Sequence, residues 1–239
     1  NHPTINSFKE LLPRPISSLL NVDKKFDAAG VLIKWKARFC ACGNHQDKGM
    51  YEEDLSSPTM TLESVFIILA FAAQWNSDVV TADITGAFLE SILPTNDIVY
   101  MYLSSDAVDE LKKIDPSIYE YILEDGRVLV KLLRALYGTI QAAMLWYKLL
   151  KKIILEYGFV QHTNDRCVFI LKKDGVIFIV GFHVDDLLMV CKNKNLISHF
   201  IAYLLGKFTN VTVHEGRQQT YLGMMINMEE EGVIDRKSV

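Results

Sequence analysis

Alternating and clustered hydrophobic positions divide the first half of the chain into strands and one long apolar segment. Imperfect alternation over residues 31–43 predicts a strand with its basic side chains on one face. Residues 61–75 are apolar almost all round, which predicts a buried helix, and Thr61 stands where an N-cap belongs. Residues 77–89 begin as a strand before reaching a glycine, and residues 97–103 predict another strand.

The second half continues this alternation with longer helices. A polar, helix-prone insert spans residues 104–125, and residues 126–133 show a strand pattern that leads into a turn. Residues 139–158 are amphipathic with a helical period, and Gly158 predicts where that helix ends. Residues 196–208 predict a further helix.

Between the last two helices, residues 167–193 predict consecutive strands. Residues 173–175 (Lys-Asp-Gly) predict the first turn, and the acidic pair Asp185 and Asp186 marks the second. Residues 219–236 predict a closing hairpin. This order of elements predicts an α+β sandwich with helices covering one face of a sheet, the architecture of a ferredoxin-like catalytic core.

Composition narrows the class of protein. Half of the 239 residues are hydrophobic and 10% are aromatic, enough to bury a sizeable core. The apolar runs are too short to cross a bilayer, and the opening residues NHPTINSFKE lack the apolar segment of a signal peptide. We therefore expect a soluble intracellular chain with no membrane partner, taken from inside a longer protein.

The cysteines do not form a recognisable metal or disulfide pattern. Cys40, Cys42, Cys167 and Cys191 contain no CxxC pair and are too few for a dense disulfide scaffold. Reduced thiols are the favoured interpretation, and a metal site is the alternative.

Charge is unevenly distributed along the chain. Residues 1–50 hold eight Lys and Arg against four Asp and Glu, whereas residues 51–130 hold three against fifteen. Residues 131–239 hold fourteen against ten. A nucleic-acid partner would find its phosphate-binding charge at the two ends. An acidic, solvated helical surface is the simpler interpretation for much of residues 104–125.

Two adjacent carboxylates within an apolar run are the first sign of chemistry. On an extended strand, Asp185 and Asp186 would point to opposite faces, but in a tight turn both can approach one cation. Because an unpaired buried carboxylate is costly, a metal ion is the natural compensating charge. Mg²⁺ suits such a site because it combines a few carboxylates with water and substrate phosphates. A solvated hairpin is the alternative for the pair considered alone.

A third carboxylate would strengthen the interpretation as a metal site. Asp83 ends the apolar strand DVVTAD, and its strand could neighbour that of Asp185 in one sheet. Three carboxylates can hold two Mg²⁺ ions roughly 3.5–4 Å apart, the spacing used for in-line displacement at phosphorus. One ion would activate a 3′-hydroxyl, and the other would hold a triphosphate.

Together these residues resemble the reverse transcriptase domain of Copia-type (Pseudoviridae) LTR retrotransposons. The similarity covers roughly residues 30–228 and keeps the family's order and spacing. Its motifs are IKWKARFCACGNHQ (fingers), VVTADITGAFL (first catalytic motif), RALYGTIQAAMLWY (template contact), FHVDD (the Val-Asp-Asp box) and YLGMMI (primer grip).

The resemblance implies a right-hand polymerase with fingers and a ferredoxin-like palm. In order along the chain, it implies an N-terminal extension (1–30), fingers with the start of the palm (31–76), palm with the first catalytic motif (77–103), a fingers insert with the template-contacting segment (104–145), palm with the Val-Asp-Asp hairpin and primer grip (146–228), and the truncated start of a thumb (229–239). The implied activity is RNA-directed DNA polymerisation, a nucleotidyl transfer that adds dNTPs to a primer 3′-hydroxyl.

The family also assigns roles to single residues. The metal-binding positions fall on Asp83, Asp185 and Asp186, with the Ile84 carbonyl as a further ligand of two Mg²⁺ ions; Mn²⁺ is the alternative ion. Phe88 falls at the steric gate against a ribose 2′-hydroxyl, and an ordinary core phenylalanine is its alternative. The primer grip falls on Tyr221, Leu222 and Gly223.

Four further assignments each have a simpler alternative. Lys36 and Arg38 match positions that contact the incoming triphosphate, where charge-assisted donors suit phosphate oxygens. A solvated strand face is the alternative for both. Gln141 matches a residue near the nucleotide and template, but it could also cap a helix. Lys207 stands where polymerases place a general acid for pyrophosphate, but it could be a surface lysine.

The chain also departs from the family's pattern. The family's Leu-Lys-Gln-Ala-Pro-Arg is Thr139 to Met144 here, and its Ala-Arg-Gly in the fingers is Ala-Cys-Gly, so cations are missing. These losses favour weaker contacts with the phosphate backbone. A catalytically weak or inactive nucleic-acid-binding remnant is therefore the alternative function, and a metal-dependent phosphohydrolase is a third.

Partners and location follow only from the resemblance. It implies an RNA or DNA template with an annealed primer, dNTPs, and the ribonuclease H and integrase of the same polyprotein. It also implies cytoplasmic virus-like particles and a nuclear stage linked to DNA integration.

Overall fold

The computed structural model describes residues 13–26, 30–47 and 55–228, together with the backbone of Asp235–Ser238. The predicted thumb segment, residues 229–239, otherwise lies outside the described residues, as does the start of the predicted N-terminal extension. The chain divides into two compact units. Unit 1 contains Asn1–Leu55 and Ser91–Leu145, and unit 2 contains Ser56–Glu90 and Trp146–Val239. The assignment of fingers and palm to parts of the chain stays a prediction.

The described residues form helices interspersed with single strands and with runs of consecutive strands. The helices are α1 (Leu62–Gln74), α2 (Ser105–Ile114), α3 (Ala142–Tyr157) and α4 (Lys194–Leu205). The strands are β1 (Ile16–Phe26), β2 (Leu32–Ala41), β3 (Asp78–Ile84), β4 (Tyr100–Leu103), β5 (Val128–Lys131), β6 (Val160–Gln161), β7 (Val168–Lys173), β8 (Val176–His183), β9 (Asp186–Cys191), β10 (Val211–His214), β11 (Gln218–Tyr221), β12 (Met224–Asn227) and β13 (Asp235–Ser238).

Unit 1 is built on a four-stranded sheet in the order β2-β1-β4-β5. Its first strand, β1, was not predicted from the sequence, because polar residues interrupt its apolar pattern. β1 pairs with β2 in an antiparallel ladder that sets Asn21 opposite Arg38, Asp23 opposite Lys36 and Lys25 opposite Lys34. Side chains opposite one another share a face. The predicted basic face of β2 is therefore present, but β1 adds Asp23 to it.

Two glycines hold parts of unit 1 close together. Gly43 follows β2, and Gly138 belongs to the Leu-Tyr-Gly motif with φ +90°. A Cβ on Gly43 would overlap the carbonyl of Gly138, and a Cβ on Gly138 would overlap the carbonyl of Ala41. The Ala41 N–H also donates to the Tyr137 carbonyl at 2.7 Å. The end of β2 and the Leu-Tyr-Gly motif therefore meet backbone to backbone, and only glycine fits at either position.

Unit 2 is built on a six-stranded antiparallel sheet in the order β10-β3-β9-β8-β7-β6. The two predicted turns occur where expected, at residues 174–175 between β7 and β8 and at residues 184–185 between β8 and β9. The central strand β9 is buried almost throughout, from Leu187 to Cys191. The closing hairpin forms from β11 and β12, with β13 as a third strand.

Helices lie on both faces of this sheet, which corrects the prediction that they cover one face. Tyr147 of α3 packs on Phe182, and Phe200 of α4 packs on Phe178, so these two helices cover the face that carries the even-numbered residues of β8. Gly181 belongs to the other face, and Ile68 of α1 lies 3.5 Å from where its Cβ would be. A Cβ on Gly181 would overlap the sulfur of Met60, two residues before α1, so Gly181 leaves room for the Met60 side chain.

The helix ends follow their capping residues, but α1 is less buried than predicted. Thr61 caps α1 by accepting a hydrogen bond from the Ser64 N–H, as predicted. α4 begins two residues earlier than predicted, because Asn193 caps it. Leu62 and Ile67 of α1 are 53% and 56% exposed, so the prediction of burial all round was wrong. One face of α1 packs against the sheet and the other lies open. Within the described residues, every helix is too short or too polar to cross a membrane.

Candidate active site

Two of the predicted metal-binding carboxylates meet on neighbouring strands of unit 2. Asp83 lies on β3 directly opposite Asp186, the first residue of β9. His183, the last residue of β8, lies opposite Asp186 on the other side. Residues directly opposite in an antiparallel pair have Cβ atoms roughly 4.5–5.5 Å apart on one face. The register therefore brings together two carboxylates that are 103 positions apart in the chain.

Asp185 reaches this site through a tight turn. Val184 and Asp185 form the two-residue link between β8 and β9, and Val184 has φ +59°. A positive φ at the first turn residue alone is the pattern of a type II′ turn, where glycine is usual. A β-branched residue in this region is strained. The neighbouring structure must therefore hold the turn in place.

Two hydrogen bonds hold the backbone of this turn. The indole N–H of Trp146, near the start of α3, donates to the Val184 carbonyl at 2.7 Å. The Ile84 N–H, one residue after Asp83, donates to the Asp185 carbonyl at 3.1 Å. Trp146 is 1% exposed, and Phe208 packs against its ring with 5.4 Å between centroids. Helix α3 and the strand of Asp83 thus each fix one of two consecutive peptide groups of the turn.

The site is electrostatically unfavourable without a cation. Burial raises the pKa of Asp186, and the carboxylates of Asp185 and Asp83 raise this pKa further. His183 and His214 act in the opposite direction and lower the pKa of Asp186. Like charges directly opposite one another destabilise a sheet. The protein therefore keeps a cluster of negative charge where β3 ends and β9 begins, and this cluster lowers its stability.

The carboxylates are not arranged as a finished metal cage. In the part of the chain that the structure describes, no group of three or more His, Cys, Asp or Glu side chains is arranged to hold a metal ion. Asp83 instead accepts a hydrogen bond from the Thr85 hydroxyl at 2.8 Å. The donor chemistry nevertheless fits a divalent cation, because the charges of Asp185 and Asp83 both act on the Asp186 carboxylate and repel it.

The three predicted primer-grip residues lie in the β11–β12 hairpin, which contacts the backbone of Asp186. Leu222 and Gly223 link β11 to β12 with φ +48° and +73°, the two positive values that a type I′ turn requires. Tyr221 is 2% exposed, and its hydroxyl donates to the Asp186 carbonyl at 3.4 Å. Burial raises the pKa of Tyr221, and the nearby Asp186 raises it further, so the phenol is a neutral donor.

Phe88 and Lys207, two other predicted site residues of unit 2, have different surroundings. Phe88 lies half-buried in a short 3₁₀-helix, Ala87–Glu90, that follows Gly86. Lys207 follows α4, and its ammonium lies 3.8 Å from a carboxylate oxygen of Glu156 and 5.1 Å from the centre of the Tyr203 ring. Its contacts are therefore with the two helices that cover the sheet. The roles of both residues stay predictions.

The predicted triphosphate contacts lie on the exposed hairpin of unit 1. Lys36 is exposed on β2. Arg38 donates to Asp23 at 3.0 Å in an ion pair that is open to solvent. Exposed ion pairs of this kind contribute little to stability, so a stronger anion can displace Asp23. The predicted contacts with a triphosphate stay predictions.

Gln141 is a buried polar residue among the predicted site residues. It is 2% exposed, and its amide donates to Asp97 at 3.0 Å and accepts from Gln46 at 3.1 Å. Gln46 in turn accepts from the Ile140 N–H at 2.9 Å. Within unit 1, Gln141 therefore joins the residues after β2 to the turn before α3. Its predicted contact with nucleotide and template stays a prediction.

Sequence reasoning missed the polar residues that orient the site. Trp146, Thr85, Asp97 and Gln46 each hold a predicted site residue or its backbone, and none was singled out. Thr85 was detectable, because a hydroxyl two residues after an Asp often bonds to it locally. The partner of Trp146 was not detectable, because it depends on packing between a helix and a turn.

The comparison with protein families gives a match over almost the whole chain. The family described as reverse transcriptase (RNA-dependent DNA polymerase) matches residues 12–237. The chain is 30% identical over 212 residues to a retrovirus-related Pol polyprotein from transposon RE2 of Arabidopsis thaliana, which covers 86% of this chain. It is 27% identical to the corresponding polyprotein from transposon TNT 1-94 of Nicotiana tabacum, which covers 90% of this chain.

A third polyprotein and one solved structure also match. A Gag-Pol polyprotein of transposon Ty1-DR4 from Saccharomyces cerevisiae is 27% identical over 92% of the chain. The chain spans only 14%, 15% and 12% of the lengths of these three relatives. Among solved structures, an apo telomerase from Candida tropicalis, truncated from its C-terminal domain, matches with a TM-score of 0.45 and 12% identity. That match covers 98% of this chain and 58% of the telomerase chain.

Proposed function

The chain belongs to the reverse transcriptase family, as the Copia-type domain of a retrotransposon Pol polyprotein, and from this premise we propose that it extends primers with dNTPs on a nucleic-acid template. One observation carries the proposal. Asp83 stands in register with Asp186, next to the turn that carries Asp185. A site that concentrates three carboxylates where two inner strands end lowers stability, so we expect it to be retained for chemistry.

Asp83, Asp185 and Asp186 are the residues that would hold divalent cations, with the Ile84 carbonyl as an additional ligand. Bound there, Mg²⁺ or Mn²⁺ would supply positive charge for the triphosphate and lower the pKa of a primer 3′-hydroxyl. The Thr85 hydroxyl orients the Asp83 carboxylate through their 2.8 Å hydrogen bond. The Ile84 N–H fixes the peptide that carries Asp185.

Other residues of the chain would select and hold the substrate. Phe88 follows Asp83 by five positions and would exclude a ribose 2′-hydroxyl, which favours dNTPs. Lys36 and Arg38 would bind triphosphate oxygens as charge-assisted donors. Lys207 would act as a general acid toward pyrophosphate, for which its ammonium must first leave Glu156. The Tyr221-Leu222-Gly223 turn would support the primer terminus.

The proposed partners are those of a polymerase within a polyprotein. We propose an RNA or DNA template with an annealed primer, dNTPs, and the ribonuclease H and integrase of the same polyprotein. The proposed location is the cytoplasmic virus-like particle, followed by a nuclear stage.

A nucleic-acid-binding remnant is the second candidate, and specific observations favour it. The segment Thr139 to Met144 lacks the family's basic residues. Arg38 is engaged by Asp23, and Gln141 is enclosed by Gln46 and Asp97. A protein with these features could bind a duplex through its remaining basic residues and synthesise poorly.

Primer extension tests the proposal directly. The chain is incubated with a labelled primer annealed to an RNA or DNA template, Mg²⁺ and dNTPs. We expect extension that EDTA abolishes and that Asp185→Asn abolishes. Asp174→Asn is the matched control, because Asp174 lies in the β7–β8 turn at the other end of β8, with φ +51°, where asparagine is tolerated. Metal-independent, salt-sensitive duplex binding without extension would select the remnant instead.

A further inference from the structure

The turn between β8 and β9 is held in a strained conformation from outside the acidic site. Val184 carries a positive φ of +59°, although it is β-branched. Such a residue persists in this region only where neighbouring groups fix its conformation. If the turn relaxed, the peptide between Val184 and Asp185 would rotate, and the two carboxylates that follow it in the chain would change direction relative to Asp83.

Trp146 is the side chain that contacts this strained peptide. Its indole N–H donates to the Val184 carbonyl at 2.7 Å, a short hydrogen bond for an N–H donor. The ring is 1% exposed and packs against Phe208, so the donor has a fixed position. A buried indole N–H needs a partner, and the carbonyl of the half-buried Val184 supplies it.

On the proposed function, we infer that Trp146 is a positioning residue of the polymerase reaction. It touches no reacting atom. Its hydrogen bond holds the Val184 peptide, and this peptide sets the directions in which Asp185 and Asp186 present their carboxylates. The Ile84 N–H holds the next peptide from the opposite strand, so the turn is fixed at two consecutive carbonyls.

Trp146→Phe removes the donor and keeps an aromatic ring in the core. We expect kcat for primer extension to fall about tenfold, because the Val184 carbonyl loses its donor and the strained turn relaxes. The KM for dNTP should change less than about twofold, because no substrate contact is lost. Trp75→Phe is the matched control, since Trp75 stacks on Phe71 at the end of α1 and is not in contact with the turn; its kcat should stay unchanged.

The substitution Val184→Gly tests whether Trp146 acts by holding the turn or only by packing in the core. Glycine adopts φ +59° without strain, so the turn no longer depends on the indole. In the Val184→Gly background, Trp146→Phe should lower kcat less than about threefold. Equal losses in both backgrounds would overturn the inference, because they would mean that Trp146 acts through core packing alone.

Two readouts do not depend on polymerase activity. Hydrogen exchange at the three indole N–H groups should be slow for Trp146 and fast for Trp35, which is 59% exposed. The affinity for Mn²⁺, measured by electron paramagnetic resonance, should be lowered by Trp146→Phe and unchanged by Trp75→Phe. If the unaltered chain extends no primer, the proposed function fails, and these two readouts alone decide whether Trp146 positions the turn. Fast exchange of the Trp146 indole would overturn the inference.

Discussion

Two acidic regions of unit 2, one buried and one half-buried, have opposite surroundings. The first is Asp165, 8% exposed, which accepts hydrogen bonds from the Ser64 hydroxyl at 2.6 Å, the Cys167 N–H at 2.8 Å and the Thr61 N–H at 3.1 Å. The second is the cluster of Asp83, Asp185 and Asp186, where carboxylates adjoin other carboxylates.

The pKa values follow this difference. Burial raises the pKa of Asp165, but the hydrogen bonds from Ser64, Cys167 and Thr61 outweigh it, so the pKa lies below 3.8. Burial also raises the pKa of Asp186, and there the neighbouring charges add to the effect. The first carboxylate ties the start of α1 to the turn before β7. The second belongs to a site that lowers stability, which is the usual mark of function.

The largest effect should separate activity from stability. Asp186→Asn should lower primer extension by about a thousandfold or more, because a proposed metal-binding charge is lost. The free energy of unfolding should stay equal or rise, because one repulsive charge is removed. Primer extension and urea denaturation of the same preparation measure both. A large loss of stability in this variant would contradict the contrast between the two regions.

Asp165→Asn should have the opposite profile. The amide cannot replace every charge-assisted hydrogen bond, so we expect the free energy of unfolding to fall by about 1–3 kcal/mol. Urea denaturation measures this change. Glu63→Gln is the control, since Glu63 lies exposed in the first turn of the same helix, and it should change stability by less than about 0.5 kcal/mol. Equal effects of the two substitutions on the free energy of unfolding would show that the hydrogen bonds of Asp165 do not stabilise the fold.

Divalent cations should stabilise the folded protein by binding at the cluster of Asp83, Asp185 and Asp186 and not at Asp165. Ions that bind the folded state raise its stability by mass action. Saturating Mg²⁺ or Mn²⁺ should raise the Tm by about 2–5 °C, and chelation should reverse this. Asp165→Asn should keep this increase, whereas Asp186→Asn should lose it. An increase of the same size in Asp186→Asn would place ion binding elsewhere.

The smallest effect is a difference in pH dependence. The folded-state pKa of Asp165 is lowered, so its stabilisation is present above the unfolded value of 3.8 and is lost as the pH falls through the folded value. The folded-state pKa of Asp186 is raised, so its contribution is present below 3.8 and is lost as the pH rises through the folded value.

The stability of each Asn variant relative to the unaltered chain should therefore change with pH in opposite directions. Urea midpoints recorded across roughly pH 3 to 7 measure both differences. The deficit of Asp165→Asn should shrink as the pH falls. Parallel pH profiles for the two variants would contradict the assigned causes of the shifts.

Much of unit 2 followed from local patterns. The helical period and capping residues gave α1, α3 and α4 to within three residues, and the turn signals gave the links between β7, β8 and β9. Strand β1 was missed, because its pattern is clear only beside β2. The exposed face of α1 was also missed, because an apolar helix does not reveal which of its faces a sheet will cover.

The sequence by itself determined which side chains carry the chemistry, because carboxylates at the end of a strand and within a turn are local features. Tertiary structure alone decided that Asp83 lies opposite Asp186 in the sheet. It also decided that Trp146 donates to the Val184 carbonyl and that Asp23 forms an ion pair with Arg38. Each of these contacts joins residues far apart in the chain. Such contacts depend on strand register and on helix packing, which a hydrophobic pattern constrains but does not fix.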